Sequence, residues 1–216
     1  MKRILLIGDS IRMGYDKYVK EALSGACEVY YPSDNCMYAE NVLRFAHEWV
    51  QKTGSSEFDL IHWNAGLWDV LELFEDGPLT SLDYYGEAIA RIHKRLKLIC
   101  PKAKLVFATS TAVIERQSSK DFARHNAIIR KYNERALEAL SGTDEIINDL
   151  YSLSENLPRE YHSDWVHFYT DKGTEAIGGR VLSVICRELG IEAGEVNLDS
   201  FAYISSILPV EIKEIV

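Results

Sequence analysis

The chain has 216 residues, of which 47% are hydrophobic and 26% are charged, so it is long enough to bury one sizeable core. Its formal net charge of −9 argues against a nucleic-acid backbone or an anionic membrane as a partner. No apolar run approaches the roughly 18 residues of a membrane-spanning helix, and Met1 leads directly into a predicted strand with no signal peptide before it. We therefore expect one cytoplasmic domain over residues 1–216.

Strand and helix patterns alternate along the first half of the chain. Residues 3–7 form a short apolar run rich in branched side chains, which is typical of a buried parallel strand. An amphipathic helix is predicted over 11–23, a strand over 27–31, a helix over 39–52 and a strand over 58–63. No linker, repeat or low-complexity segment interrupts them.

The second half of the chain continues the alternation. A helix over 81–99 ends before a proline, a strand follows over 105–109, and a long helix is predicted over 120–140. A short strand over 145–147 comes next, and Thr170 is the predicted N-cap of a last helix that runs to Leu189. This alternation predicts an α/β fold: a three-layer α/β/α sandwich with a five-stranded, mostly parallel sheet.

The cysteines and histidines show no metal-binding pattern. The four cysteines are widely separated, with no C-x-x-C pair, and we expect reduced, mostly buried thiols at Cys27, Cys36, Cys100 and Cys186. No histidine stands at ligand spacing from a cysteine or from another histidine. We therefore expect neither a metal nor a cofactor.

The tripeptide Gly8-Asp9-Ser10 follows the first predicted strand directly. It thus lies at the carboxyl edge of the sheet, where open α/β folds build their ligand sites. Because a helix begins here, free backbone N–H groups beside the Ser10 hydroxyl could stabilise a negatively charged oxygen. The simpler interpretation is that Asp9 or Ser10 is only a helix N-cap.

A second pattern, Asp164-Trp165-Val166-His167, stands before the last helix. In a loop, Asp164 could accept the Nδ1 proton of His167 and leave Nε2 facing a nucleophile. Taken alone, the pair could equally be a surface aspartate and a structural histidine. The chain repeats the spacing at Asp59 and His62, but there it falls within a strand, where residues three apart point to opposite faces.

A third pattern, Asn64-Ala65-Gly66-Leu67-Trp68-Asp69, follows the third predicted strand and adds amide and indole donors at the same sheet edge. In isolation such a loop is more often structural than catalytic. Together, the three patterns resemble the SGNH/GDSL hydrolase superfamily in order and spacing, over a family-like core of residues 2–189. Residues 147–151 also resemble the family's segment before its catalytic loop.

The resemblance implies a flavodoxin-like SGNH hydrolase fold and a catalytic triad. By this resemblance Ser10 is the nucleophile, His167 is the general base and acid, and Asp164 is its orienting partner. Elementary chemistry agrees, because a serine hydroxyl needs an adjacent base, and that base needs a third group to orient it.

The sequence departs from the family at the oxyanion hole. The family's third block is Gly-x-Asn-Asp, whose Asn donates to the tetrahedral oxygen, and Trp68 stands at that position. The family's second block supplies a glycine N–H, whereas residues 32–37 contain no glycine. We expect the donors to come from the backbone N–H of Ser10, a backbone N–H of Cys36 or Met37, and the side chain of Asn64 or Trp68.

These features predict a cofactor-free serine esterase or acylhydrolase that cleaves small O-acyl esters, with acetylated carbohydrates among the candidates. Trp68 and Trp165 are expected to form walls beside the serine, which suits a sugar face or an acyl chain. The alternative is a protein of the same fold with weak or no hydrolytic activity that binds a carbohydrate or another partner. A phosphate or nucleotide binder is disfavoured, because the first turn lacks a glycine-rich loop.

The C-terminal extension, residues 190–216, follows the family-like core. It carries many apolar residues after position 196, so we expect it to pack on the core or on a second subunit of a homo-oligomer.

Overall fold

The computed structural model describes residues 1–115 and 118–198. Its five-stranded sheet has the strand order β2-β1-β3-β4-β5, and all four strand pairings are parallel. The strands are β1 (Lys2–Ile7), β2 (Cys27–Tyr30), β3 (Leu60–Trp63), β4 (Lys104–Ala108) and β5 (Ile146–Asn148). The predicted α/β class and five-stranded sheet are confirmed.

Within the described residues, six α-helices surround the sheet. They are α1 (Ser10–Ala22), α2 (Ala39–Lys52), α3 (Leu82–Ile99), α4 (Asn126–Leu140), the single turn α5 (Tyr151–Ser154) and α6 (Asp171–Leu189). α1 packs against α6, while α3 packs against both α2 and α4, so the long helices form two layers with the sheet between them. This arrangement is the predicted three-layer sandwich.

The central strands are buried on both faces. All four residues of β3 are buried, as are the last four residues of β1. Apart from His62 in β3, these buried residues are apolar, as expected for a parallel sheet covered by helices on both sides. Ile7 pairs with Trp63, and Trp63 pairs with Phe107, so the carboxyl ends of β1, β3 and β4 lie side by side. The loops that follow them meet at one edge.

The long helix predicted over 120–140 begins only at Asn126, so its first turns were wrongly predicted. The preceding segment instead pairs with a distant loop, because the Ala123 N–H donates to the Glu72 carbonyl and the Glu72 N–H donates to the Ala123 carbonyl, each at 2.9 Å. Arg124 Nε also donates to the carbonyl of Leu67. These tertiary hydrogen bonds outweigh the local helix preference.

The start of the C-terminal extension lies against the core. Gly190 ends α6 with a φ of 64°, and the Gly194 N–H donates to the Ala22 carbonyl at the end of α1 at 2.7 Å. Val196 is partly buried against the hydrophobic core. The apolar part that was predicted to pack on the core or on a partner subunit falls mainly on 199–216, outside the described residues.

Candidate active site

Asp9 and Ser10 have separate roles in the turn Gly8-Asp9-Ser10 between β1 and α1, which is called the nucleophile turn after the role predicted for Ser10. Asp9 is the N-cap of α1, and its carboxylate accepts the Ile11 N–H at 2.9 Å. Ser10 is the first helical residue, is 6% exposed, and its hydroxyl is bonded to His167 rather than to the helix backbone. Asp9 therefore caps the helix, and the Ser10 hydroxyl takes no part in the cap.

Gly8 allows a close approach at this turn. A Cβ at Gly8 would lie 2.0 Å from Oδ1 of Asn64 and 2.8 Å from Cβ of Arg12, so no side chain fits without displacing both neighbours. Arg12 is itself buried and ties the turn to the loop after β2, since its Nη2 donates to the carbonyl of Asp34 at 2.7 Å. An ion pair with Asp16, one helical turn along α1, balances its charge.

Three side chains from opposite ends of the chain meet at the carboxyl edge of the sheet. His167 Nε2 lies 2.8 Å from Ser10 Oγ, and His167 Nδ1 lies 2.7 Å from Asp164 Oδ2. These distances fit a proton path from the serine hydroxyl to the imidazole, with the carboxylate holding the other ring nitrogen.

Asp164 holds both the histidine ring and the turn that carries it. Its Oδ1 accepts the N–H groups of Val166 at 2.7 Å and His167 at 2.8 Å, while Oδ2 faces Nδ1. Partial burial raises the pKa of Asp164, but the hydrogen bonds from His167 and Val166 outweigh it and hold the pKa below its ordinary value. Asp164 is therefore a carboxylate at neutral pH, which the acceptor role requires.

Tyr169 contacts both Ser10 and His167. Its ring stacks on the imidazole of His167 with the centroids 4.8 Å apart, and its hydroxyl donates to the Ser10 carbonyl at 2.5 Å. The ring lies against Gly14 of α1, where a Cβ would come within 2.6 Å of it. Sequence reasoning missed this residue, although it stands only two positions after His167.

The competing pair Asp59 and His62 is not a catalytic dyad. Asp59 accepts the Arg3 N–H at 2.8 Å and a bond from Lys2 Nζ at 3.1 Å. His62 is fully buried, where Asn148 Nδ2 lies 3.1 Å from its Nε2, and burial lowers its pKa to about 3. It is a neutral core histidine, as the strand geometry predicts.

Two of the predicted oxyanion donors are already engaged. The Cys36 N–H donates to the Gly8 carbonyl at 3.1 Å, and the Met37 N–H donates to Asn35 Oδ1 at 2.8 Å. Met37 adopts a φ of 54°, so the left-handed backbone occurs here without a glycine. Because both N–H groups have acceptors within the protein, the prediction that Cys36 or Met37 supplies a donor is not supported by the structure.

The two side chains proposed as a further donor lie in different settings. Asn64 is buried against Gly8, and its amide lies beside the carboxyl of Asp9. Trp68 packs edge-to-face on Tyr38 with the ring centroids 5.7 Å apart. Trp68 therefore belongs to an aromatic pair, while its wall and donor roles and the donor role of Asn64 stay predictions.

A second aromatic group, which includes the predicted wall residue Trp165, surrounds a buried arginine. Trp165 meets Phe122 edge-to-face with the centroids 6.1 Å apart, and the guanidinium carbon of Arg124 lies 5.6 Å from the Trp165 ring centroid. Arg124 is 5% exposed. No local pattern singles out Arg124, because it falls in a segment predicted as helix.

Asp69, at the end of the third motif, positions α2. Its two carboxylate oxygens lie 3.3 and 3.1 Å from the N–H of Ala39, the first residue of that helix. Burial raises the pKa of Asp69 to about 7, which the hydrogen bonds from Thr80 and Ala39 partly oppose. Asp69 therefore anchors the start of α2, directly after the loop that the Cys36 N–H joins to the Gly8 carbonyl.

Residues 1–115 and 118–198 contain neither a candidate membrane-spanning helix nor a candidate metal-binding cluster. No helix among them is long and apolar enough to cross a membrane. No group of three histidine, cysteine or acidic side chains in that part of the chain could hold a metal ion.

Comparison with known proteins identifies the fold. No family model and no curated protein matches the sequence. A lipase/acylhydrolase from Enterococcus faecalis superposes with a TM-score of 0.70 at 17% identity, covering 91% of this chain and 100% of its own. The acetyl xylan esterase AlAXEase gives 0.66 at 17%, covering 85% and 99%. A carbohydrate esterase family 3 protein from Talaromyces cellulolyticus gives 0.64 at 15%, covering 89% and 100%.

Proposed function

We propose that the protein is a serine ester hydrolase that acts on small O-acyl esters, with Ser10 as nucleophile. The observation that carries the proposal is the unbroken hydrogen-bonded series from Ser10 Oγ to His167 Nε2 and from His167 Nδ1 to Asp164 Oδ2, at 2.8 and 2.7 Å. Its fold, shared with lipases, acylhydrolases and carbohydrate esterases, gives independent support.

The proposed reaction has two stages. His167 Nε2 takes the proton of Ser10 as Oγ attacks the ester carbonyl, and the carbonyl oxygen becomes a tetrahedral oxyanion. When the oxyanion collapses, the bond to the alcohol breaks, and His167 returns the proton to the leaving oxygen. Water then attacks the acyl-serine with the same histidine as base, which releases the carboxylic acid and restores Ser10.

Acetylated carbohydrates are the substrate class that we favour. Two proteins with a similar fold bear names that refer to acetyl xylan or to carbohydrate esters. The aromatic rings of Trp68 and Tyr38 stand beside the loops that flank the nucleophile turn, and such rings suit the apolar face of a sugar. Release of acetate from acetylated xylan oligosaccharides, compared with release from simple alkyl acetates, tests this choice.

The engaged N–H groups of Cys36 and Met37 favour one alternative, a carbohydrate-binding protein of the same fold with little activity. A fluorophosphonate probe separates the two functions, since it labels only an activated serine. We expect the wild-type protein to be labelled and Ser10→Ala to remain unlabelled. Ser10→Ala should also lower kcat on 4-nitrophenyl acetate by about 10³-fold or more. A wild-type protein that is not labelled but binds the oligosaccharide would support the alternative.

A further inference from the structure

Arg124 is a buried cation at the edge of the candidate site, and the two-stage reaction leaves it without a role. Arg124 is 5% exposed, and its Nε donates to the Leu67 carbonyl at 2.5 Å. Its guanidinium carbon lies 5.5 Å from the ring centroid of Phe122 and 5.6 Å from that of Trp165. These contacts fix the guanidinium in position before any ligand arrives.

The charge of Arg124 acts on both acidic residues that flank the nucleophile and its base. Burial lowers the pKa of Arg124 to about 10, while the charges of Asp9 and Asp164 raise it, so the guanidinium stays protonated at neutral pH. Asp9 directly precedes Ser10, and Asp164 holds His167. The geometry places the cation beside the same loops, because Nε is bonded to Leu67 after β3 and the guanidinium carbon lies 5.6 Å from the ring of Trp165, which follows Asp164.

The Nη1 and Nη2 atoms of Arg124 make no hydrogen bond to another residue within the described part of the chain. Across residues 1–115 and 118–198, its hydrogen bond is made by Nε, and no carboxylate forms an ion pair with it. Arg12, the other deeply buried arginine near the turn, has Asp16 as its counter-ion. A buried guanidinium without an ion pair is costly, and an anion formed during the reaction would balance its charge.

The attack by Ser10 creates such an anion at the same edge of the sheet, where the loops after β1 and β3 meet. An oxyanion needs several positioned donors, and the N–H groups of Cys36 and Met37 are bonded elsewhere. We propose that the Nη groups of Arg124 donate to the oxyanion that forms when Ser10 attacks the ester, together with the Ser10 backbone N–H. This inference rests on the proposed esterase function and assigns Arg124 as a further catalytic residue.

The test uses a neutral ester, which carries no anionic group that Arg124 could bind in the ground state. Arg124→Met should lower kcat on 4-nitrophenyl acetate by about 10²-fold with KM nearly unchanged, and should slow fluorophosphonate labelling of Ser10 to a similar degree. Arg124→Lys keeps the charge and should recover part of the loss. Arg95→Met is the matched control, because Arg95 also donates to a backbone carbonyl, that of Leu43, on α2.

A second measurement separates catalysis from folding. Arg124 also holds the Leu67 loop, so Arg124→Ala is assayed with and without guanidinium chloride at low, non-denaturing concentration. A rise in kcat that the Arg95→Met control does not show would support donation by the cation. Absence of rescue in a variant that melts like the wild type would overturn it.

Two other results would also overturn the inference, and they differ in whether the esterase proposal survives. If Arg124→Met keeps its kcat on the neutral ester but loses affinity for mono-4-nitrophenyl succinate, Arg124 binds an anionic group of the substrate instead, and the esterase proposal survives. If the wild-type protein is not labelled and Ser10→Ala leaves hydrolysis unchanged, both proposals fail together.

Discussion

The ring of Tyr169 stacks on the imidazole of His167 at a centroid distance of 4.8 Å and an interplanar angle of 27°. The same side chain donates its hydroxyl to the Ser10 carbonyl at 2.5 Å. One residue thus contacts both the proposed base and the backbone of the proposed nucleophile.

Tyr169→Phe tests this positioning role, because it keeps the stack and removes only the hydrogen bond. We expect the free energy of unfolding to fall by about 1 kcal/mol and kcat to fall by roughly 3- to 10-fold at constant KM. A merely structural role would change the unfolding transition without slowing the labelling of Ser10 by fluorophosphonate.

The substitution Asp164→Asn should lower the activity severely. The carboxylate accepts three N–H groups, two from the backbone of Val166 and His167 and one from the imidazole. An asparagine has a single acceptor oxygen, so either the turn or the ring loses its partner. We expect kcat to fall by about 10³- to 10⁴-fold. Asp144→Asn, an exposed aspartate paired with Lys97, is the control and should leave kcat unaltered.

Trp68→Phe distinguishes a wall from a donor. Since the indole packs edge-to-face on Tyr38, we expect KM for a bulky ester to rise by roughly 2- to 10-fold while kcat changes little. Steady-state kinetics with a small and a bulky acetate ester give both constants. A fall in kcat of about 10²-fold at constant KM would instead show that the indole N–H donates in the transition state.

Asp69 should make stability depend on pH. Burial raises its pKa from 3.8 to about 7 in the folded protein, so between these values the folded state binds a proton that the unfolded state has released. The contribution of Asp69 is therefore fully favourable below about pH 4 and is lost as the pH rises toward 7.

Asp69→Asn removes this titration and keeps one acceptor for the Ala39 N–H. Relative to the wild type, we expect the variant to be more stable at pH 7.5 than at pH 4.5, by a difference on the order of a few kcal/mol. Urea unfolding at the two pH values measures it. Parallel stability profiles for the two proteins would contradict the raised pKa.

The sequence determined the architecture, because each strand and helix carries its own periodic pattern. Apart from His62 in β3, the buried residues of β1 and β3 are apolar, as strands covered on both faces require. Thr170 was recognisable as the N-cap of α6, and it accepts the Gly173 N–H at 3.0 Å. The candidate triad was also visible, since its residues belong to short motifs at strand and helix ends.

Only the tertiary structure shows which backbone N–H groups are already bonded and where the side chain of Arg124 lies. Local patterns do not show that the Cys36 N–H is bonded to the Gly8 carbonyl, because the two residues meet only when the loops after β1 and β2 meet. The same holds for Arg124, whose segment reads as a helix but pairs with Glu72 and is fixed to Leu67. Local sequence preference determines where helices and strands form. Hydrogen bonds between residues distant in sequence depend instead on how those helices and strands pack.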